Sequence, residues 1–123
     1  MERTSTFNLL GIVSQHFLGP APTAPALELS GIWHCDDGGR YAIRQIGPDV
    51  MWHGQATTPP SFMSVAHGQL DGDGWLRLSW ADLPGGERAQ CGGLLLRMTG
   101  PERMELFRET GGFTGTVWAR LHR

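Results

Sequence analysis

Arg40-Tyr41-Ala42-Ile43-Arg44-Gln45-Ile46, then Gly47-Pro48-Asp49, then Val50-Met51-Trp52-His53-Gly54-Gln55 is the stretch whose reading decides the fold. Two runs of strand length flank a three-residue turn signal. So short a connection joins antiparallel neighbours as a hairpin. In the second run Val50, Trp52 and Gly54 share one face, and Met51, His53 and Gln55 share the other. That period of two belongs to a strand with one side buried.

Working outward, the same punctuation recurs at Asp36-Asp37-Gly38-Gly39, Thr57-Thr58-Pro59-Pro60, Asp71-Gly72-Asp73-Gly74, Pro84-Gly85-Gly86, Gly100-Pro101 and Gly111-Gly112. It cuts the chain into Leu29–Cys35, Arg40–Ile46, Val50–Gln55, Phe62–Leu70, Trp75–Ala81, Ala89–Thr99, Arg103–Glu109 and Thr116–His122. None of these runs contains a proline, which would break a ladder. The 18 glycines, about twice ordinary usage, are what a chain built largely of turns requires. In the fifth run Leu76, Leu78 and Trp80 oppose Trp75, Arg77 and Ser79; in the sixth Leu94, Leu96 and Met98 share a face. The predicted fold is all-β, an up-and-down antiparallel barrel of about eight strands. An even number of strands lets the first lie beside the last, so that no edge stays open. The barrel domain covers 29–123. The extension 1–28 reads as a short helix, with Leu10, Val13 and Phe17 on one face, followed by a Pro/Ala-rich linker.

Strand order also separates the two ends. The connections Ala56–Ser61, Asp82–Arg88 and Thr110–Gly115 are long and fall at one end. The tight connections Gly47–Asp49, Asp71–Gly74 and Gly100–Pro101 fall at the other, with both ends of the barrel segment. One end is therefore expected to be closed and the other to be a loop-lined mouth, where barrels hold ligands.

At 123 residues the chain is one domain with one core. A net charge of -2, with no basic run, disfavours nucleic acid and anionic membrane surfaces as partners. No apolar run approaches the roughly 18 residues of a membrane helix. Cys35 and Cys91 lack metal spacing and fall on non-neighbouring runs. They are expected to be reduced and buried, which suits a cytoplasmic protein. Phe7–Val13 followed by Ala21–Ala26 loosely imitates a secretory h-region and cleavage site. Ser14, Gln15 and His16 interrupt it, so secretion or a periplasmic location is the alternative. Phe7, Leu10 and Phe17 could equally pack on the barrel or join two copies as a homodimer.

No catalytic, metal or cofactor signature is found. His34 and Cys35 point to opposite faces of a strand, and Asp36 and Asp37 are explained by the turn they begin. His53 and His67 fall on the polar face opposite the aromatic and small residues. Trp33, Trp52 and Trp80 are expected to point inward, and Phe62, Ser64, Ala66 and Gly68 form a face that leaves interior space.

Leu29-Ser30-Gly31-Ile32-Trp33 opens the first run and Trp118-Ala119-Arg120 lies in the last. A Gly-x-Trp on the first strand of an eight-stranded barrel resembles the calycins, which include lipocalins, fatty-acid-binding proteins and avidins. The resemblance implies a base closed by Gly31 and Trp33, with Arg120 packed across it. The Thr-Asp-Tyr element of lipocalins is absent and the biotin-contacting pattern of avidins cannot be placed, so no ligand is implied. Asp36–Tyr41 and Thr110–Phe113 are also similar to small bacterial barrels. The Pro/Ala-rich arm before Glu28–Trp33 resembles the start of bacterial inhibitors of secreted metalloproteases, although the disulfide of those inhibitors lacks its second cysteine here.

The leading expectation is a barrel that binds a small apolar or aromatic molecule through Tyr41, Trp52, Phe62, Ser64, Trp80, Gln90, Arg108 and Phe113. The alternative is a protein–protein module, such as a protease-inhibitor-like barrel that uses its N-terminal arm. A barrel enzyme of the isomerase or cyclase type is third.

Overall fold

The structure is a computed structural model that describes residues 27–123. The expected helix and most of the linker lie outside the described residues. The strands are β1 (Gly31–Cys35), β2 (Arg40–Ile46), β3 (Asp49–Ala56), β4 (Phe62–Leu70), β5 (Trp75–Asp82), β6 (Cys91–Gly100), β7 (Arg103–Glu109) and β8 (Val117–His122). Each pairs antiparallel with its neighbours in chain order, and β8 returns to β1, so the sheet is a closed barrel.

The strand limits differ slightly from those read in the sequence. β1 starts at Gly31 rather than Leu29 because a side chain replaces the ladder there. The Leu29 amide donates to Gln45 Oε1 at 2.8 Å, and the Gln45 amide donates to Ser30 Oγ at 2.9 Å. Leu29 thereby folds under the barrel and is fully buried. β5 runs one residue further, to Asp82, which carries a charged side chain onto the inward face beyond Trp80.

A bulge interrupts the β6–β7 ladder. Leu96 opposes Leu106 and Leu95 opposes Arg108, so Phe107 is the extra residue. The extra residue reverses the alternation. Leu106 packs against the core, Phe107 stands out 60% exposed, and Arg108 turns outward beside Leu95. Phe107 meets Trp75 edge-on, with ring centroids 5.1 Å apart.

The tight-turn end is closed. Trp33 is fully buried and its Nε1 donates to the Leu29 carbonyl at 2.9 Å. The Arg120 guanidinium lies 4.6 Å from the Trp33 ring centroid. Arg120 donates to the carbonyls of Ser30 (2.9 Å), Pro101 (3.0 Å) and Glu28. Its Nε lies 3.0 Å from Glu102 Oε1, close enough for an ion pair but without the alignment of a hydrogen bond. Gly31 threads beneath this clamp, and a Cβ there would come within 2.6 Å of the His122 carbonyl.

One sequence expectation is corrected. Cys91 is exposed, not buried, because it begins β6 at the rim, whereas Cys35 is buried. His53 and His67 lie on the exposed outer wall as expected, where His53 faces Val65 and His67 faces Met51.

Candidate functional site

The loop-bearing half of the barrel is filled by aromatic rings. Tyr41 from β2, Trp52 from β3, Phe62 and Ser64 from β4, Trp80 from β5 and Trp118 from β8 are all buried there. Inward parity on each strand places them. Space for Tyr41 comes from Gly54, where a Cβ would fall 2.3 Å from the phenol ring. Tyr41 meets Trp52 edge-on at 4.9 Å and Trp118 at 5.9 Å.

Phe113 closes this chamber from the β7–β8 loop. It stacks on Trp118 at 5.9 Å, stands edge-on to Trp80 at 5.0 Å and lies 6.2 Å from Trp52. Glu109 holds the loop, its Oε1 accepting from the amides of Gly112 (3.0 Å) and Phe113 (3.1 Å). Gly111 and Gly112 have φ of 94° and 91°. Only glycine adopts that conformation readily, and it lets the loop dip into the barrel.

Arg88, from the β5–β6 loop, forms the second part of the cover. Its guanidinium lies 4.1 Å from the Phe62 ring centroid and donates from Nη1 to Thr114 Oγ1 at 2.7 Å. The two covering loops are therefore tied together. Asp82 has a side chain only 1% exposed and lies 4.0 Å from Arg88 Nη2, an ion pair beyond hydrogen-bond distance.

Asp37 and Asp36 belong to the β1–β2 loop. The Tyr41 hydroxyl donates to Asp37 Oδ2 at 2.6 Å. Burial, with the Asp37 charge next, pushes the phenol well above its ordinary range, so it stays protonated and acts as a donor. Burial, again with Asp37, pushes the Cys35 thiol up as well, which makes it a poor nucleophile. Asp36 is held on the acidic side. Its slight burial acts in the opposite direction but is outweighed by hydrogen bonds from Thr116 and Val117.

Several buried polar atoms of this region have no hydrogen-bond partner among the described residues: Trp52 Nε1, Trp118 Nε1, Ser64 Oγ, Asp82 Oδ1, and Nε and Nη2 of Arg88. A buried, unsatisfied polar atom costs about 1–3 kcal/mol. Such a cluster is therefore not explained by packing.

The residues expected at the mouth divide in two. Tyr41, Trp52, Phe62, Ser64, Trp80 and Phe113 come together in the chamber. Gln90 and Arg108 are exposed and stay outside it. Arg108 is diverted by the bulge, and its guanidinium lies 5.8 Å from the exposed Phe107 ring. Trp118, Asp82 and Arg88 were not among the residues picked from the sequence. Parity carried the signal for two of them: Trp118 shares the face of Arg120, and Asp82 that of Trp80. Arg88 lies in a loop and had no such signal.

Among the described residues, depressions of about 470, 490 and 700 Å³ lie on the outer wall and at the base. The first is an apolar hollow between Ala42, Met51 and Val65; the third lies beneath Leu27 and Met98. Among the described residues no cluster of three or more His, Cys, Asp or Glu could hold a metal ion. The fold defines the class, an eight-stranded antiparallel barrel closed in chain order. No family model matches the chain, and no curated protein or solved structure is significantly similar to it.

Proposed function

We propose that the barrel binds a small, flat, largely apolar molecule in its loop-end chamber, with Phe113 as the plug that the ligand displaces. The observation that carries this reading is the set of unpartnered buried polar atoms inside an aromatic enclosure, above all Nε1 of Trp52 and Trp118. Core tryptophans ordinarily find a partner for the indole N–H. A ligand with one acceptor atom would supply it and would stack on the rings beside it. The plug sits on a loop hinged at two glycines, whereas the walls are ladder-bound strands. The base built from Gly31, Trp33 and Arg120 resembles that of the calycins, which supports a site at the opposite, loop-bearing end. The alternative of an N-terminal inhibitory arm rests on residues outside those described, and the observations at the mouth lend it no support.

The test uses 1-aminoanthracene, a neutral, flat, fluorescent probe, excited by energy transfer from tryptophan. Saturable transfer at one site per chain is expected, with tighter binding in Phe113→Ala. No saturable transfer in either protein would reject the reading.

A further inference from the structure

We infer that Ser64, Asp82 and Arg88 form a donor–acceptor reader for the edge of a planar, neutral cyclic amide, a ring with an N–H beside its C=O. This rests on the loop-end chamber being the ligand site, and it names the class of ligand.

The argument starts from the guanidinium. Nε and Nη2 carry the parallel pair of N–H bonds that binds an acceptor side-on. In Arg88 both atoms are buried and without a partner. The other end of the group is already fixed, since Nη1 donates to Thr114 Oγ1 and the plane lies against the Phe62 ring. The fork is therefore held in place and takes no acceptor from the described residues.

Asp82 offers the complementary atom. Its Oδ2 accepts from the Gln90 amide at 3.0 Å, while Oδ1 is buried and accepts nothing. That oxygen lies 4.0 Å from Arg88 Nη2, so a donor is required beside the acceptor that the fork takes. Ser64 is the cross-strand partner of Asp82, which puts both side chains on the inner face. Its hydroxyl is buried and unpartnered too, and it can donate or accept.

Charge decides against an anion. The Arg88 cation is balanced by Asp82, and the nearby Asp37 carboxylate, held by Tyr41, adds a second negative charge. A ligand carboxylate would face two of its own sign, whereas a neutral amide edge meets one acceptor and one forked donor. Displacement of Phe113 would bare the Trp52 and Trp118 rings it packs against, and a conjugated cyclic amide would stack on them in its place.

The test is a set of matched bicyclic probes, titrated by ligand-observed NMR against the wild-type protein and Arg88→Leu. The probes are 2-quinolinone, N-methyl-2-quinolinone, naphthalene and 2-naphthoate. The expected result is that 2-quinolinone binds about ten-fold more tightly than naphthalene, the yield of one or two net hydrogen bonds. N-methylation should remove most of the gain, and in Arg88→Leu 2-quinolinone and naphthalene should bind equally, whatever the change in naphthalene affinity. Equal binding of 2-quinolinone and naphthalene would overturn the reader but leave the aromatic site standing, as would preference for 2-naphthoate. Failure of all four probes, together with 1-aminoanthracene, would overturn both. A second measurement does not depend on any probe. Ser64→Ala removes a polar atom that nothing among the described residues satisfies, so its melting temperature should equal or exceed that of the wild type. A clear drop would mean that the hydroxyl serves the fold instead, and would refute its place in the reader.

Discussion

Phe113→Ala is the sharpest single perturbation of the loop-end chamber. Phe113 is 5% exposed and touches three tryptophan rings, yet it belongs to a loop. Phe-to-Ala changes in cores cost about 3–5 kcal/mol. Because the site lies at the mouth and water can enter the space left behind, the low end applies, about 3 kcal/mol. For a domain of this size each kcal/mol lowers the melting temperature by roughly 4–8 °C, giving a fall of roughly 12–24 °C. The control is Phe107→Ala, the same side chain six residues away but 60% exposed, with one edge-on partner in Trp75. It should cost about 1 kcal/mol or less. Thermal melts followed by near-UV circular dichroism measure both. Acrylamide quenching of tryptophan should increase in Phe113→Ala and not in Phe107→Ala. Equal costs for the two variants, or a loss below about 1 kcal/mol for Phe113→Ala, would refute the view that Phe113 completes the packed interior.

Two further outcomes follow from the ends of the barrel. Arg120→Met strands the carbonyls of Ser30, Pro101 and Glu28 and should lower stability by about 2–3 kcal/mol, read from the urea midpoint; Arg120→Lys should recover only part, since an ammonium cannot reproduce the fork. Asp36, held on the acidic side, contributes stability that is present above its ordinary value near 4 and is lost as pH falls through its lowered value; the melting-temperature gap between wild type and Asp36→Asn should therefore be open at pH 7 and close under strongly acidic conditions, and a gap that did not change with pH would reject the role of the Thr116 and Val117 hydrogen bonds.

Much of the fold was legible because turns and strands use different residues. The clusters at Gly47-Pro48-Asp49 and Asp71–Gly74 mark hairpins whatever the tertiary context, and the strands lie between them. Inward positions followed from parity at Trp52, Ser64 and Trp80. Parity fails where the ladder slips. Counting from Met104 and Leu106 puts Arg108 inside, but the bulge at Phe107 turns it out, and nothing local in Leu106-Phe107-Arg108 announces a bulge. The chemistry of the mouth was hidden for a different reason. Arg88 acquires its surroundings from Phe62, Asp82 and Thr114, on three other stretches of chain, and a loop has no period from which to infer a direction.

The pairing of β1 with β8 has a kinetic consequence. The other seven seams join consecutive strands, and each can form as a local hairpin. The eighth, clamped by Arg120 onto the Ser30 carbonyl, joins residues 90 positions apart. Closing a loop of that length costs about 2–3 kcal/mol more chain entropy than closing a turn of about five residues. Ring closure is then the slow, late event in folding, and both outer strands stay open to other chains until it happens. The clamp that seals the base thus also sets how long the half-built sheet is exposed to aggregation.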